Sequence, residues 1–290
     1  MSNDFGVERT LEGIALERIN VEDLSLASEK GLCMADAGDP TRPRDVEWYD
    51  QNVLVPGMGA GKIGDGVKTK FDDRKMRLHS TSIRNGNLVM AFGLSYFGEF
   101  KTTMGRTDEE NLALQERGER ELGERYAFLP RNPGVAAIVI TSEGSIFLGE
   151  RISPDDSGKL NAVAGHLQFR QDPSKVDLTE DVYRELKEEF GIDKEAVCSL
   201  ELVGGYNHAA RGDMDFAFLA KSDVPNDYFS SGAWKARVNE REHKGLVQLS
   251  NFGDVQRLLS TGMAGSRAKP YDLMYSTRGA LQGIRPSEMR

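Results

Sequence analysis

Apolar residues fall into a sustained helical register over residues 178–190 of this chain. Val182, Leu186 and Phe190 recur at i, i+4 and i+8 with Thr179 and Tyr183 beside them, so one face of a helix there is predicted to meet a core. Asp177 is placed as the N-cap with Glu180 three residues later, a capping-box arrangement, and Gly191 can close the helix in the left-handed conformation. Glu185, Glu188 and Glu189 then share an adjoining face at i, i+3 and i+4, while Glu180 and Arg184 form a favourable i, i+4 pair.

Period-two patterns dominate elsewhere. Two β-type runs, 77–83 and 88–94, flank Asn85-Gly86, which predicts a hairpin. Residues 108–123 read as a charged helix. From Gly134 onward strands are predicted at 135–141, 145–151, 196–203, 213–220 and 244–249, with a further strand ending at Gly165, and helices at 253–259 and 270–282. Residues 1–50 show no sustained period. Gly59-Ala60-Gly61-Lys62-Ile63-Gly64 spells a dinucleotide-type glycine motif, but Asp65-Gly66 follows where a helix would have to open, so a mobile loop is the expectation.

With 290 residues the chain has room for one large or two ordinary domains, and a boundary is expected near residue 130: 1–130 β-rich, 131–290 α/β. A net charge of −9 disfavours bulk nucleic acid and anionic membranes, both of which need a basic surface. No apolar run is long enough to span a bilayer and the N-terminus has no apolar signal core, so a cytoplasmic location is expected. Cys33 and Cys198 lie far apart and form no ligand cluster.

Three carboxylates on one patch repel, and with nothing basic expected on that patch a divalent cation would relieve them. Mg²⁺, with Mn²⁺ as a substitute, takes carboxylate oxygens together with water and substrate phosphate. Residues 184–192, Arg-Glu-Leu-Lys-Glu-Glu-Phe-Gly-Ile, resemble the second half of the Nudix box, the signature of the Nudix hydrolases. The first half departs from the pattern. Val176 stands where the box has an acid, and Ala164-Gly165-His166 sits about five residues early, which an insertion between Gly165 and Asp177 would accommodate. The resemblance implies a Nudix α/β/α sandwich with a mixed sheet, plus the smaller β-rich N-terminal domain.

Residues 75–80, 93–96, Asn207, Asp215-Phe216 and 255–259 are similar to the UDP-glucose pyrophosphatase branch of that superfamily. That resemblance implies Mg²⁺-dependent hydrolysis of a nucleoside diphosphate sugar, UDP-glucose or UDP-galactose, to UMP and a sugar 1-phosphate, by a monomer or homodimer. It implies Gly165, Glu185, Glu188 and Glu189 as metal ligands. Glu185 or Glu242 is the implied base, with Glu240 as alternative, and Arg184 holds its neighbours. Arg77, His79, Asn207 and His166 are the implied substrate contacts. His79 reads equally well as a hydrogen-bonded strand residue, as do His166, His208 and His243, although His166 follows the strand-end Gly165 and could line the pocket. The alternatives are an ADP-ribose or NADH hydrolase, and a non-catalytic nucleotide-binding module.

Overall fold

Every residue of the strand Gly134–Ile140 is buried, and the strand serves two cores at once. Val135, Ala137 and Val139 point into one, Ile138 and Ile140 into the other, as the two-residue repeat of a strand requires. A strand with no solvent face must be covered on both sides, and this fixes a helix–sheet–helix layering.

The computed structural model describes residues 6–9, 15–18, 33–34, 74–84, 87–123, 125–153, 156–169, 176–238, 242–265 and 269–289. Within these the strands are β1 (Gly6–Arg9), β2 (Ala15–Arg18), β3 (Cys33–Met34), β4 (Arg74–Arg84), β5 (Asn87–Tyr96), β6 (Gly134–Ile140), β7 (Ile146–Arg151), β8 (Leu160–Asn161), β9 (Val163–His166), β10 (Val197–His208), β11 (Met214–Ser222) and β12 (His243–Leu249). The α-helices are α1 (Phe97–Met104), α2 (Asp108–Leu122), α3 (Leu178–Phe190), α4 (Asn226–Ser230), α5 (Phe252–Thr261) and α6 (Tyr275–Gln282). The larger sheet runs β1-β2-β10-β11-β6-β7-β12, with β8 on β7 and β9 on β6. β11 and β6 pair in parallel and the other neighbours antiparallel, so the sheet is mixed.

One face carries α3, whose Val182, Leu186 and Phe190 are fully buried with Phe147, Phe216 and Phe229. The other carries α5 and α6 through Val255, Leu258, Ala280 and Leu281. Each such large side chain contributes about 1.5–3 kcal/mol by burial. The hairpin of β4 and β5 forms a second sheet with β3, and its Met76, Leu78 and Phe92 join the core beneath α3. No helix among the described residues is long and apolar enough to cross a membrane.

Several local expectations change. Asp177 does cap α3, accepting from the Thr179 and Glu180 amides, but Glu180 pairs with Lys194 instead of closing a box. The complete capping box is at α2, where Thr107 and Glu110 satisfy each other's backbone. The helix predicted from Pro270 starts only at Tyr275, because Leu273 bridges Leu160 and Leu160 N–H donates to Asp272 O in extended pairing. Helix α1, which continues directly from β5, had no sequence expectation. The Gly59–Gly64 run, the Asn85-Gly86 turn and residues 170–175 of the insertion predicted between Gly165 and Asp177 lie outside the described residues.

Candidate active site

Packing α3 by its apolar stripe turns Glu185 and Glu189 towards β9. A Cβ at Gly165 would lie 1.8 Å from Glu185 Oε1, so only glycine lets that carboxylate rest against the strand backbone. Glu189 is 3% exposed; its Oε1 accepts from Ala164 N–H at 3.0 Å and its Oε2 lies 2.7 Å from His243 Nε2. His243 fits because Gly149 faces it on the neighbouring strand: a Cβ there would stand 2.2 Å from Nδ1.

Arg184 does not pair with Glu180. Its Nη2 lies 2.6 Å from Glu185 Oε1 and donates to the His166 carbonyl at 3.2 Å, while Nη1 donates to Glu188 at 2.8 Å. A base therefore does lie on the carboxylate patch, contrary to the expectation from spacing. At i−1 and i−4 it curls over both acids.

Burial, opposed by Arg184 and reinforced by the charges of Glu189 and Glu188, pushes the Glu185 carboxyl up to about 8. Burial, then the charge of Glu242, raises Glu189 well above the usual carboxylate range. Burial lowers His243 to about 4, so both members of the Glu189–His243 contact are driven towards their neutral forms. Buried acids that raise one another in this way would be relieved by a divalent cation bound beside them. Among the described residues no group of three Asp, Glu, His or Cys side chains is arranged to hold a metal ion.

These groups border a cavity of about 560 Å³. Gly165, Arg184, Glu185, Glu188 and Glu242 line its acidic part, with Glu242 paired to Arg151 at 3.1 Å. Arg211, Asp215, Tyr275 and Ser276 line a second part. The Tyr275 and Ser276 hydroxyls bond Asp215, and burial holds its carboxyl up at about 7. Lys75, Phe97, Phe100, Lys101 and His166 line a third. Burial, then the charges of Lys75, Lys101 and Arg211, lowers His166 to about 3, so its ring is neutral.

The structure thus brings Gly165, His166, Arg184, Glu185, Glu188 and Glu242 to one cavity, with Glu189 buried beside Ala164. It does not bring Arg77, which is 1% exposed and donates to the Tyr126 and Leu129 carbonyls. Its guanidinium ties β4 to the chain before β6 and is not presented to a ligand. Asn207 is likewise buried, donating to the Tyr126 hydroxyl at 3.2 Å. His79 lies on β4, and its side chain and Glu240 fall outside the described residues. Sequence reasoning missed His243, which looked like any isolated histidine, and Lys101 and the Phe97/Phe100 pair, whose i, i+3, i+4 spacing was the available signal.

The sequence matches no family model and no curated protein. Solved structures similar to the chain include a MutT Nudix hydrolase from Burkholderia pseudomallei, 22% identical, covering 53% of this chain and 98% of its own with a TM-score of 0.35. A Caenorhabditis elegans Ap4A hydrolase in a binary complex is 17% identical over 44% of this chain and 85% of its own, TM-score 0.31. The Nudix domain of Shewanella oneidensis NrtR, complexed with ADP ribose, is 14% identical over 58% and 95%, TM-score 0.37.

Proposed function

We propose that this chain is a Nudix hydrolase that cleaves the phosphoric anhydride of a nucleoside diphosphate sugar, with UDP-glucose and UDP-galactose as the first substrates to test. One observation carries the reading. Glu185 and Glu188 of residues 184–192, the segment resembling the Nudix box, stand with Glu242 around a cavity that also presents cationic and aromatic side chains, and Glu189 is buried behind them beside Ala164.

Glu185, Glu188, Glu189 and the Gly165 carbonyl are the groups that would hold Mg²⁺. When bound, the ion neutralises charge on the diphosphate and makes a water more acidic. Arg184 keeps Glu185 and Glu188 in place, and His243 with Ala164 N–H keeps Glu189 in place. Glu185 or Glu242 accepts the proton of the attacking water. The water oxygen bonds one phosphorus, the bond from that phosphorus to the bridging oxygen breaks, and UMP and a sugar 1-phosphate leave. Residues 74–104 supply part of the cavity lining, so the N-terminal part is assigned a share in substrate binding.

Incubating the purified protein with a nucleotide-sugar panel, with Mg²⁺ present or chelated, tests this. Metal-dependent release of UMP is expected from the wild type and not from Glu189→Gln, which should remain folded. Equal hydrolysis by that variant would refute the site.

A further inference from the structure

Three arginines of the cavity are already committed to carboxylates: Arg151 to Glu242, Arg184 to Glu185 and Glu188, and Arg211 to Asp213. Lys75 differs: it lines the same cavity and has no carboxylate partner among the described residues. Its ammonium stands 5.7 Å from the Phe97 ring centroid, and that of Lys101 5.6 Å from the same ring. Phe100 stacks edge-on against His166 at 4.5 Å and lies 6.0 Å from Phe97, so cations and rings form one continuous surface.

This surface is built by β4 and α1, not by the helix that carries the acids. Its attachment is local: Lys75 makes an antiparallel bridge to Gln168, two residues past His166. The carboxylates account for a metal-bound diphosphate. The Lys75 ammonium, without a carboxylate partner among the described residues and set against an aromatic wall in the same cavity, calls for an additional negative charge on the ligand, together with an apolar ring face, and Lys101 stands at the same ring.

We infer that Lys75 and Lys101, backed by Phe97, Phe100 and His166, form a specificity subsite for a second anionic group, carboxylate or phosphate, on the part of the substrate beyond the scissile diphosphate. The inference rests on the hydrolase reading above. It narrows the substrate class from neutral nucleotide sugars to nucleoside diphosphate derivatives bearing a further acid.

Matched pairs differing by one anion test it: UDP-glucose against UDP-glucuronate for a sugar carboxylate, and NADH against NADPH for a ribose phosphate. At least one anionic member should be preferred in kcat/KM by about tenfold, the size of one charge-assisted contact. In Lys75→Gln and Lys101→Gln that preference should fall towards unity, mainly through KM, with melting temperatures within a few degrees of wild type confirming that each variant is folded. Which pair shows the preference distinguishes carboxylate from phosphate. Turnover of all four compounds with no preference overturns the subsite and leaves the hydrolase reading intact. So does a preference unchanged by both substitutions, or an equal loss on both members of a pair, which would place the lysines on the scissile diphosphate. No turnover of any compound overturns both.

Discussion

His243 Nε2 lies 2.7 Å from Glu189 Oε2, in a slot that exists because residue 149 is glycine. With Ala164 N–H on the other oxygen, the Glu189 carboxyl is gripped at both ends. A carboxylate so fixed differs from one on a free side chain, because its orientation is set before any ligand arrives.

Removing the imidazole should therefore act on metal use before it acts on nucleotide binding. For His243→Ala we expect the Mg²⁺ concentration for half-maximal activity to rise by roughly 10–100-fold, with KM for nucleotide little changed. His243→Gln, whose amide can still donate, should recover part of the loss. A metal titration unaltered in both variants would show that Glu189 needs no such support.

Gly165→Ala places a methyl group where Glu185 Oε1 now sits. Either the carboxyl or the strand must move, at a cost of about 1–3 kcal/mol, and activity should drop sharply. Gly245→Ala, with nothing within 4 Å of its added carbon, is the matched control and should be silent in urea melts.

His208 should make the fold acid-sensitive. Burial first, then the charge of Arg211, lowers it to about 3, against an unfolded value near 6.5. The unfolded chain thus binds the extra proton first as pH falls below 6.5, and stability from this group, fully present above 6.5, is lost progressively down to about pH 3. His166 works in the same direction and Asp215 in the opposite one, so the informative quantity is a difference. Between pH 7 and pH 5 the urea stability of wild type should fall by about 2 kcal/mol more than that of His208→Gln. Parallel pH profiles for the two proteins would contradict this.

Leu186 is fully exposed to the core and to nothing else, between Val182 and Phe190 on the buried stripe of α3. Leu186→Ala should cost about 2–5 kcal/mol in chemical denaturation. A change under 1 kcal/mol would mean that the helix is not anchored by this face.

What could be read in advance follows from the range of each interaction. The α3 stripe, its Asp177 cap and its Gly191 terminus are all local, and each appears where the sequence put it. The alternation of β6 was equally visible, although not that its two faces belong to two cores. Charge partners were not visible. Arg184 had Glu180, Asp181, Glu185 and Glu188 within reach, and in the fold it meets the last three together with the His166 carbonyl, a partner 18 residues away that helix spacing does not reveal. Arg77 resembled a phosphate ligand because burial, not residue type, determines that its guanidinium serves backbone carbonyls 49 and 52 residues away.

Three contacts cross from α3 to the stretch around β9: Glu189 with Ala164 N–H at 3.0 Å, Arg184 with the His166 carbonyl at 3.2 Å, and Asp181 with Gln168 N–H at 3.4 Å. They rivet helix to strand, each from an α3 side chain to a backbone group of residues 164–168. The acids are thus held to β9 by direct contacts between residues 164–168 and residues 181–189, so their placement is a property of the packed helix and strand more than of sequence spacing.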